Sequence, residues 1–139
     1  MFHNAVGLIS NFTQELKIQE IFSVSSGAVI GSWVRFYFVN LSSKVFGKKF
    51  YGTIFVNTLS TFLLSIISPF LTSKQPSSSE FILFYSIGFL GSLSTFSTYI
   101  IEIFQALVDK YWMQAFFIAF GTILTSFMAA YIGLSLATN

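Results

Sequence analysis

Residues 87–102 read IGFLGSLSTFSTYIIE, an apolar stretch that carries Gly88 and Gly91 and then five hydroxyls, Ser92, Ser94, Thr95, Ser97 and Thr98. Glycine is about 1 kcal/mol worse than alanine in a helix, and Ser and Thr side chains compete for backbone partners. Helix is therefore weak here, and a local break is expected at Gly91 to Thr95. The segment lies within an apolar run from about Phe81 to Val108, long enough to cross a hydrocarbon core of about 30 Å. Irregular backbone survives at that depth only where it is buried in protein or lines a cavity. Freed carbonyls aimed at one point make a small cation site, whereas freed amides and hydroxyls suit an anion. The alternative is a kinked but continuous helix.

Three further runs of similar length flank it, from about Ile21 to Leu41, Phe50 to Leu71 and Trp112 to Leu136. The turns between runs, SSKVFGKK, TSKQPSSSE and DKY, hold five of the seven basic residues, where backbone and charge can meet water. The 139 residues are 54% hydrophobic and 9% charged, against about 25% charged in an ordinary soluble domain. A soluble bundle would need a charged outer face on each helix, and none is present. The expected fold is an all-α membrane protein of four transmembrane helices, the third broken near its middle. Residues 21–139 form one domain, and residues 1–20 an amphipathic extension on the membrane surface. That extension has no basic stretch ahead of a short apolar run, which argues against a cleaved secretory signal. Its His3, the sole imidazole, is assigned no role.

The same composition excludes several function classes. With no cysteine and one histidine, thiolate metal sites, disulfides and Cys or His catalytic sets cannot be assembled. No paired carboxylates and no phosphate-cradling glycine loop occur, so an enzyme is not expected. The net charge of +2 comes from scattered residues, which argues against nucleic acid. Four spans put Lys17 and Lys74 on one side and Lys44, Lys48, Lys49 and Lys110 on the other, a small bias. A chain with so little asymmetry can insert both ways and pair with its own inverted copy.

Polar groups inside the spans point to the chemistry. In GTIFVNTLSTFLLS, Thr53, Asn57, Ser60, Thr61 and Leu64 share roughly one helical face. Asn57 at its centre offers two donors and one acceptor oxygen, costly to bury unpaired; the structural reading is interhelical glue. Phe96 and Tyr99, three apart, share a face, and a ring edge can attract a small anion without formal charge. In the fourth span Thr122 and Ser126 supply hydroxyls, with Ala130 and Gly133 offering a close-packing surface. Arg35 and Glu102 are ionisable at membrane depth. Arg35 snorkels to the interface or faces a watery vestibule, and Glu102, which backbone donors, a hydroxyl or Arg35 could pair, reads as structural as readily as functional.

Together these residues resemble the small fluoride channels of the CrcB (Fluc) family, from Gly27 to Gly133. Its first-span pattern GGxxGAxxR is matched by Gly27, Ala28, Gly31, Ser32 and Arg35. Its second, GTxxVNxxGS, is matched by Gly52, Thr53, Val56, Asn57, Ser60 and Thr61. The third, GGxTTFSTF, is matched from Gly91 to Tyr99, with Glu102 at the acidic position that commonly follows. The resemblance implies an antiparallel, dual-topology homodimer in the inner (plasma) membrane, with two pores for passive fluoride flow that lowers the cytoplasmic concentration. It implies a structural sodium ion at the dimer centre, held by the backbone carbonyls of Gly91 and Ser94. Asn57 would donate to fluoride, Phe96 and Tyr99 would present ring edges, Thr122 and Ser126 would belong to a polar track, and Arg35 would draw anions into the vestibule.

The departures are Ala28, Ser60 and Ser92 for glycine, Ser94 for threonine and Tyr99 for phenylalanine, and Ile118 stands where the family tends to have tyrosine. Some members work as pairs of related chains, so a homologous second subunit and a non-conducting or half-active role are alternatives. Small four-helix multidrug exporters are similar in size only: they bind cations through an acidic residue in the first span, where this chain has Arg35.

Overall fold

The computed structural model describes residues 18–72 and 79–138. The expected surface extension, His3, Lys17 and Lys74 fall largely or wholly outside the described residues. Helix α1 runs Ile18–Phe46 and α2 Phe50–Thr72. The third segment opens with α3, Ser79–Ile82, continues as a π-helix, Leu83–Leu90, and ends in the short α4, Gly91–Leu93. Helix α5 then runs Phe96–Val108 and α6 Trp112–Thr138. Among the described residues there is no strand.

The turns follow from local chemistry. Gly47 ends α1 with φ +71°, the left-handed conformation that glycine adopts without penalty. After α5, Lys110 takes the same region at φ 62°. The Lys110 amide donates to the Leu107 carbonyl at 3.1 Å and the Tyr111 amide to the Ala106 carbonyl at 2.8 Å. This is a Schellman closure with a lysine in the place usually given to glycine; it returns the chain into α6 within three residues.

Packing is tightest where small residues let backbones meet, as between membrane helices. Gly27 of α1 lies against Gly88 of the π-helix: a Cβ there would meet the Phe89 amide nitrogen at 2.9 Å and the Gly88 Cα at 3.1 Å. Gly52 of α2 crosses α1 at Val39, and Gly133 of α6 crosses α2 at Ser65. The buried core is small, Val56, Leu90 and Leu93 with Phe38, Val39 and Tyr85 against it. By contrast Trp33, Phe104, Phe120, Phe127 and Tyr131 point outward and stand exposed. That inside-out distribution suits a lipid solvent, which takes over the burial that water would deny.

Three helical stretches, Phe50–Pro69, Glu80–Val108 and Trp112–Thr138, are long and apolar enough to cross a membrane. Helix α1 matches them in length at 29 residues, but six serines together with Glu20, Arg35, Asn40 and Lys44 dilute its hydropathy. It also extends past the expected span of 21–41 at both ends.

Candidate functional site

Between α4 and α5 the backbone leaves the helical region. Ser94 is extended at φ −72°, ψ 155° and Thr95 at φ −147°, ψ 118°. Just before this point Ser92 sends its hydroxyl back to the Gly88 carbonyl at 2.7 Å and the Phe89 carbonyl at 3.2 Å, competing with the helical ladder. Just after it, Thr95 caps α5, its Oγ1 accepting from the Thr98 amide at 3.3 Å and donating to the Thr98 Oγ1 at 3.0 Å. The hydroxyl cluster thus ends one helix and starts the next.

Extended residues at membrane depth need partners for their peptide groups, and all four groups find one. The Ser94 amide donates to the Leu90 carbonyl at 3.2 Å. The Ser94 carbonyl accepts from Arg35 Nη1 at 3.4 Å. Asn57 supplies both halves of an amide to Thr95: its Nδ2 donates to the Thr95 carbonyl at 3.1 Å, and its Oδ1 accepts from the Thr95 amide at 2.7 Å.

Beside the break lies a groove of about 400 Å³. Helix α2 contributes Asn57 and Thr61, the break contributes Ser94 and Thr95, α5 contributes Phe96 and Tyr99, and α6 contributes Thr122, Ile123 and Ser126. The structure therefore brings Asn57, Phe96, Tyr99, Thr122 and Ser126 into one space that no charged side chain lines. Arg35 and Gly91 do not line it; the guanidinium lies at the break and Gly91 is exposed.

Donors and acceptors in the groove are distributed unevenly. The Thr61 hydroxyl is committed to the Asn57 carbonyl at 2.9 Å and that of Thr122 to the Ile118 carbonyl at 2.7 Å, so both present lone pairs rather than protons. Asn57 keeps one N–H beyond its bond to Thr95, and Ser126 makes no hydrogen bond among the described residues. Helix α5 begins at the groove, bringing the positive end of its backbone dipole there. Phe96 is 74% exposed, with its ring centroid 6.0 Å from that of Tyr99. The Tyr99 hydroxyl donates to the Ala119 carbonyl at 3.0 Å. Its extra oxygen is thereby absorbed by α6, leaving the ring for the groove.

Gly91 and Ser94 fit part of a cation site. The Gly91 carbonyl accepts the Ser94 hydroxyl at 3.4 Å and the Ser94 carbonyl accepts Arg35, so each oxygen keeps a lone pair. Neutral main-chain oxygens are the ligands that unwound membrane helices offer to sodium.

Two pairings that the sequence leaves open are decided by helix placement. Thr53 Oγ1, in the polar stripe of α2, donates to Glu102 Oε1 at 2.9 Å, while Glu102 Oε2 is buried without a hydrogen-bond partner among the described residues. A second pocket of about 510 Å³ opens there, with Lys48, Lys49 and Asp109 on its wall. The sequence leaves a hydroxyl among the candidate partners of Glu102, and helix placement selects that of Thr53, 49 residues away. Thr58 and Thr125 also join α2 to α6 through their hydroxyls at 2.9 Å.

A model of the family described as "CrcB-like protein, Camphor Resistance (CrcB)" matches residues 22–134. "Fluoride-specific ion channel FluC 1" of Prochlorococcus marinus (strain MIT 9313) is 37% identical over 118 residues, 84% of this chain and 90% of the relative. The protein of the same name from Parasynechococcus marenigrum (strain WH8102) is 34% identical over 117 residues, 84% of this chain and 92% of the relative. "Fluoride-specific ion channel FluC" of Pasteurella multocida (strain Pm70) is 31% identical over 115 residues, 83% of this chain and 90% of the relative. Since the matched stretch carries the break, the groove and every helix that builds them, the chain belongs to the CrcB family.

Proposed function

We propose that this chain is a fluoride-selective channel of the inner (plasma) membrane that lets cytoplasmic fluoride leave by passive flow. The observation that carries the reading is the groove beside the break, where an amide, hydroxyls, a helix N-terminus and two aromatic rings meet without a charged side chain. Fluoride is small and strongly hydrated, so a pore must replace water with donors and still release the ion. Neutral donors and ring edges meet both demands, whereas a lysine or arginine in mid-groove would hold the ion too tightly. The names of the relatives support the same ion.

The working unit in this proposal is an antiparallel homodimer with four spans per copy, α1 included, and two grooves. Support comes from the small bias of lysines between the two sides and from the exposed Gly91, Phe96 and Ser97 at the break. The Gly91 and Ser94 carbonyls keep spare lone pairs beside this exposed face, and a second copy would cover them. A sodium ion held by the Gly91 and Ser94 carbonyls of both copies would join them at that seam by neutralising converging carbonyl dipoles.

The test is efflux from fluoride-loaded liposomes after addition of a potassium ionophore, read by a fluoride electrode. Efflux well above that from empty liposomes is expected, with none for chloride. Absence of efflux overturns the homodimeric channel, and its return on adding a homologous second chain would assign this chain to a two-component channel.

A further inference from the structure

We infer that Arg35 is a built-in cation for the broken span: with Asn57 it completes the hydrogen bonding of Ser94 and Thr95 inside one chain. The break then forms without a bound metal ion. The inference rests on the channel reading only for its functional meaning, since the bonding itself is intrachain.

Each piece of the pattern has a physical consequence. A carbonyl freed from a helix inside the membrane must find a donor or a cation. For Thr95 the Asn57 amide does this, acting as a peptide mimic. For Ser94 the donor is the Arg35 guanidinium, reaching from a helix 59 residues earlier in the chain. Gly31, one helical turn before Arg35, makes the reach possible. It is buried where α1 meets Phe89 and Ser92, so the backbones come close enough for Arg35 to meet the break. A guanidinium is always charged and carries five donors, so at this position it serves as a tethered cation at a carbonyl that a mobile cation would otherwise satisfy. Sodium in the proposed dimer would join copies through the lone pair that the Ser94 carbonyl keeps, whereas the hydrogen bonding of the break belongs to each chain. Arg35 is a positioning residue for the groove, of which Ser94 and Thr95 form one wall.

Amide hydrogen exchange of the full chain in detergent, with sodium or with N-methylglucamine as sole cation, tests this. Protection of the Thr95 and Thr98 amides in the unaltered protein should agree within about twofold between the two buffers. Protection that falls about tenfold or more when sodium is removed overturns the inference. Arg35→Gln, which keeps donors but loses charge, should exchange about tenfold faster at these amides in N-methylglucamine and recover protection in sodium. Arg35→Lys should stay close to the unaltered protein. Exchange in Arg35→Gln that matches the unaltered protein in both buffers also overturns it. If Arg35→Gln does not fold, the two-buffer comparison of the unaltered protein and Arg35→Lys decides. Liposome efflux is read in parallel. Sodium-independent protection without efflux would refute the channel and keep this inference; efflux with sodium-dependent protection would do the reverse.

Discussion

Asn57 and Thr95 exchange two hydrogen bonds, Nδ2 to carbonyl at 3.1 Å and amide to Oδ1 at 2.7 Å, so one side chain serves as the neighbouring strand that an extended residue in a membrane lacks. Asn57→Asp keeps the acceptor and loses the donor, setting a carboxylate against the Thr95 carbonyl and against an incoming anion. Stranding a buried carbonyl costs about 1–3 kcal/mol. Fluoride efflux should fall at least about tenfold, with a lower melting temperature in detergent. Asn57→Ala, which strands both Thr95 groups, should be no better. Unchanged efflux in the Asp variant would remove Asn57 from the site.

Much of this site could be read from the residues alone, and the limits of that reading are physical. Glycine and hydroxyl content mark Gly91 to Thr95 as weak helix, because propensity and side-chain competition are local effects, and Ser94 and Thr95 are extended within that stretch. The helical period puts Asn57 on a polar stripe and Phe96 and Tyr99 on one shared face; that these line one groove is seen only in the structure. What the period cannot give is the state of each hydroxyl: Thr122 faces the groove, yet its proton goes to Ile118. For Arg35 the sequence leaves snorkelling and a vestibule open and does not give its bond to the Ser94 carbonyl, because distance along α1 says nothing of the Gly27 and Gly31 contacts that draw α1 against the π-helix. The pairing of Thr53 with Glu102 likewise depends on helix placement, which no single segment encodes.

Tyr99 offers a cleaner separation of roles, since its ring lines the groove while its hydroxyl is bonded to the Ala119 carbonyl at 3.0 Å. Tyr99→Phe removes one neutral hydrogen bond, worth about 0.5–1.5 kcal/mol, and leaves the ring edge in place. Efflux should stay within about threefold of the unaltered chain, with a small drop in thermal stability. Tyr99→Leu removes the ring and should lose most of the efflux. Equal efflux in both variants would show that the ring has no part in conduction.

Two glycines should respond in opposite ways to alanine. At Gly27 a Cβ would press on backbone atoms of Phe89 and Gly88, which cannot swing aside. Gly27→Ala should therefore separate α1 from the π-helix and destabilise by about 1–3 kcal/mol, the usual cost of overpacking. At Gly121 nothing lies within 4 Å of the new methyl group. Gly121→Ala should gain about 0.5–1 kcal/mol from helix propensity alone. Melting in detergent reads both, and loss of stability at Gly121 would point to a contact made only in the assembled membrane protein.

The last relationship lies outside the groove. Thr53, fully buried, donates to one oxygen of Glu102, and the other oxygen has no hydrogen-bond partner among the described residues. Thr53→Val keeps the shape and leaves both oxygens stranded, an expected loss of about 1–3 kcal/mol. Glu102→Gln keeps an oxygen to accept from Thr53 and cannot carry charge, so burying it costs less. In the Gln background Thr53→Val should therefore be milder, by at least about 1 kcal/mol in a double-mutant cycle read by thermal melting. A cycle that closes without interaction would mean that the Thr53 hydroxyl and the carboxylate do not act as a unit.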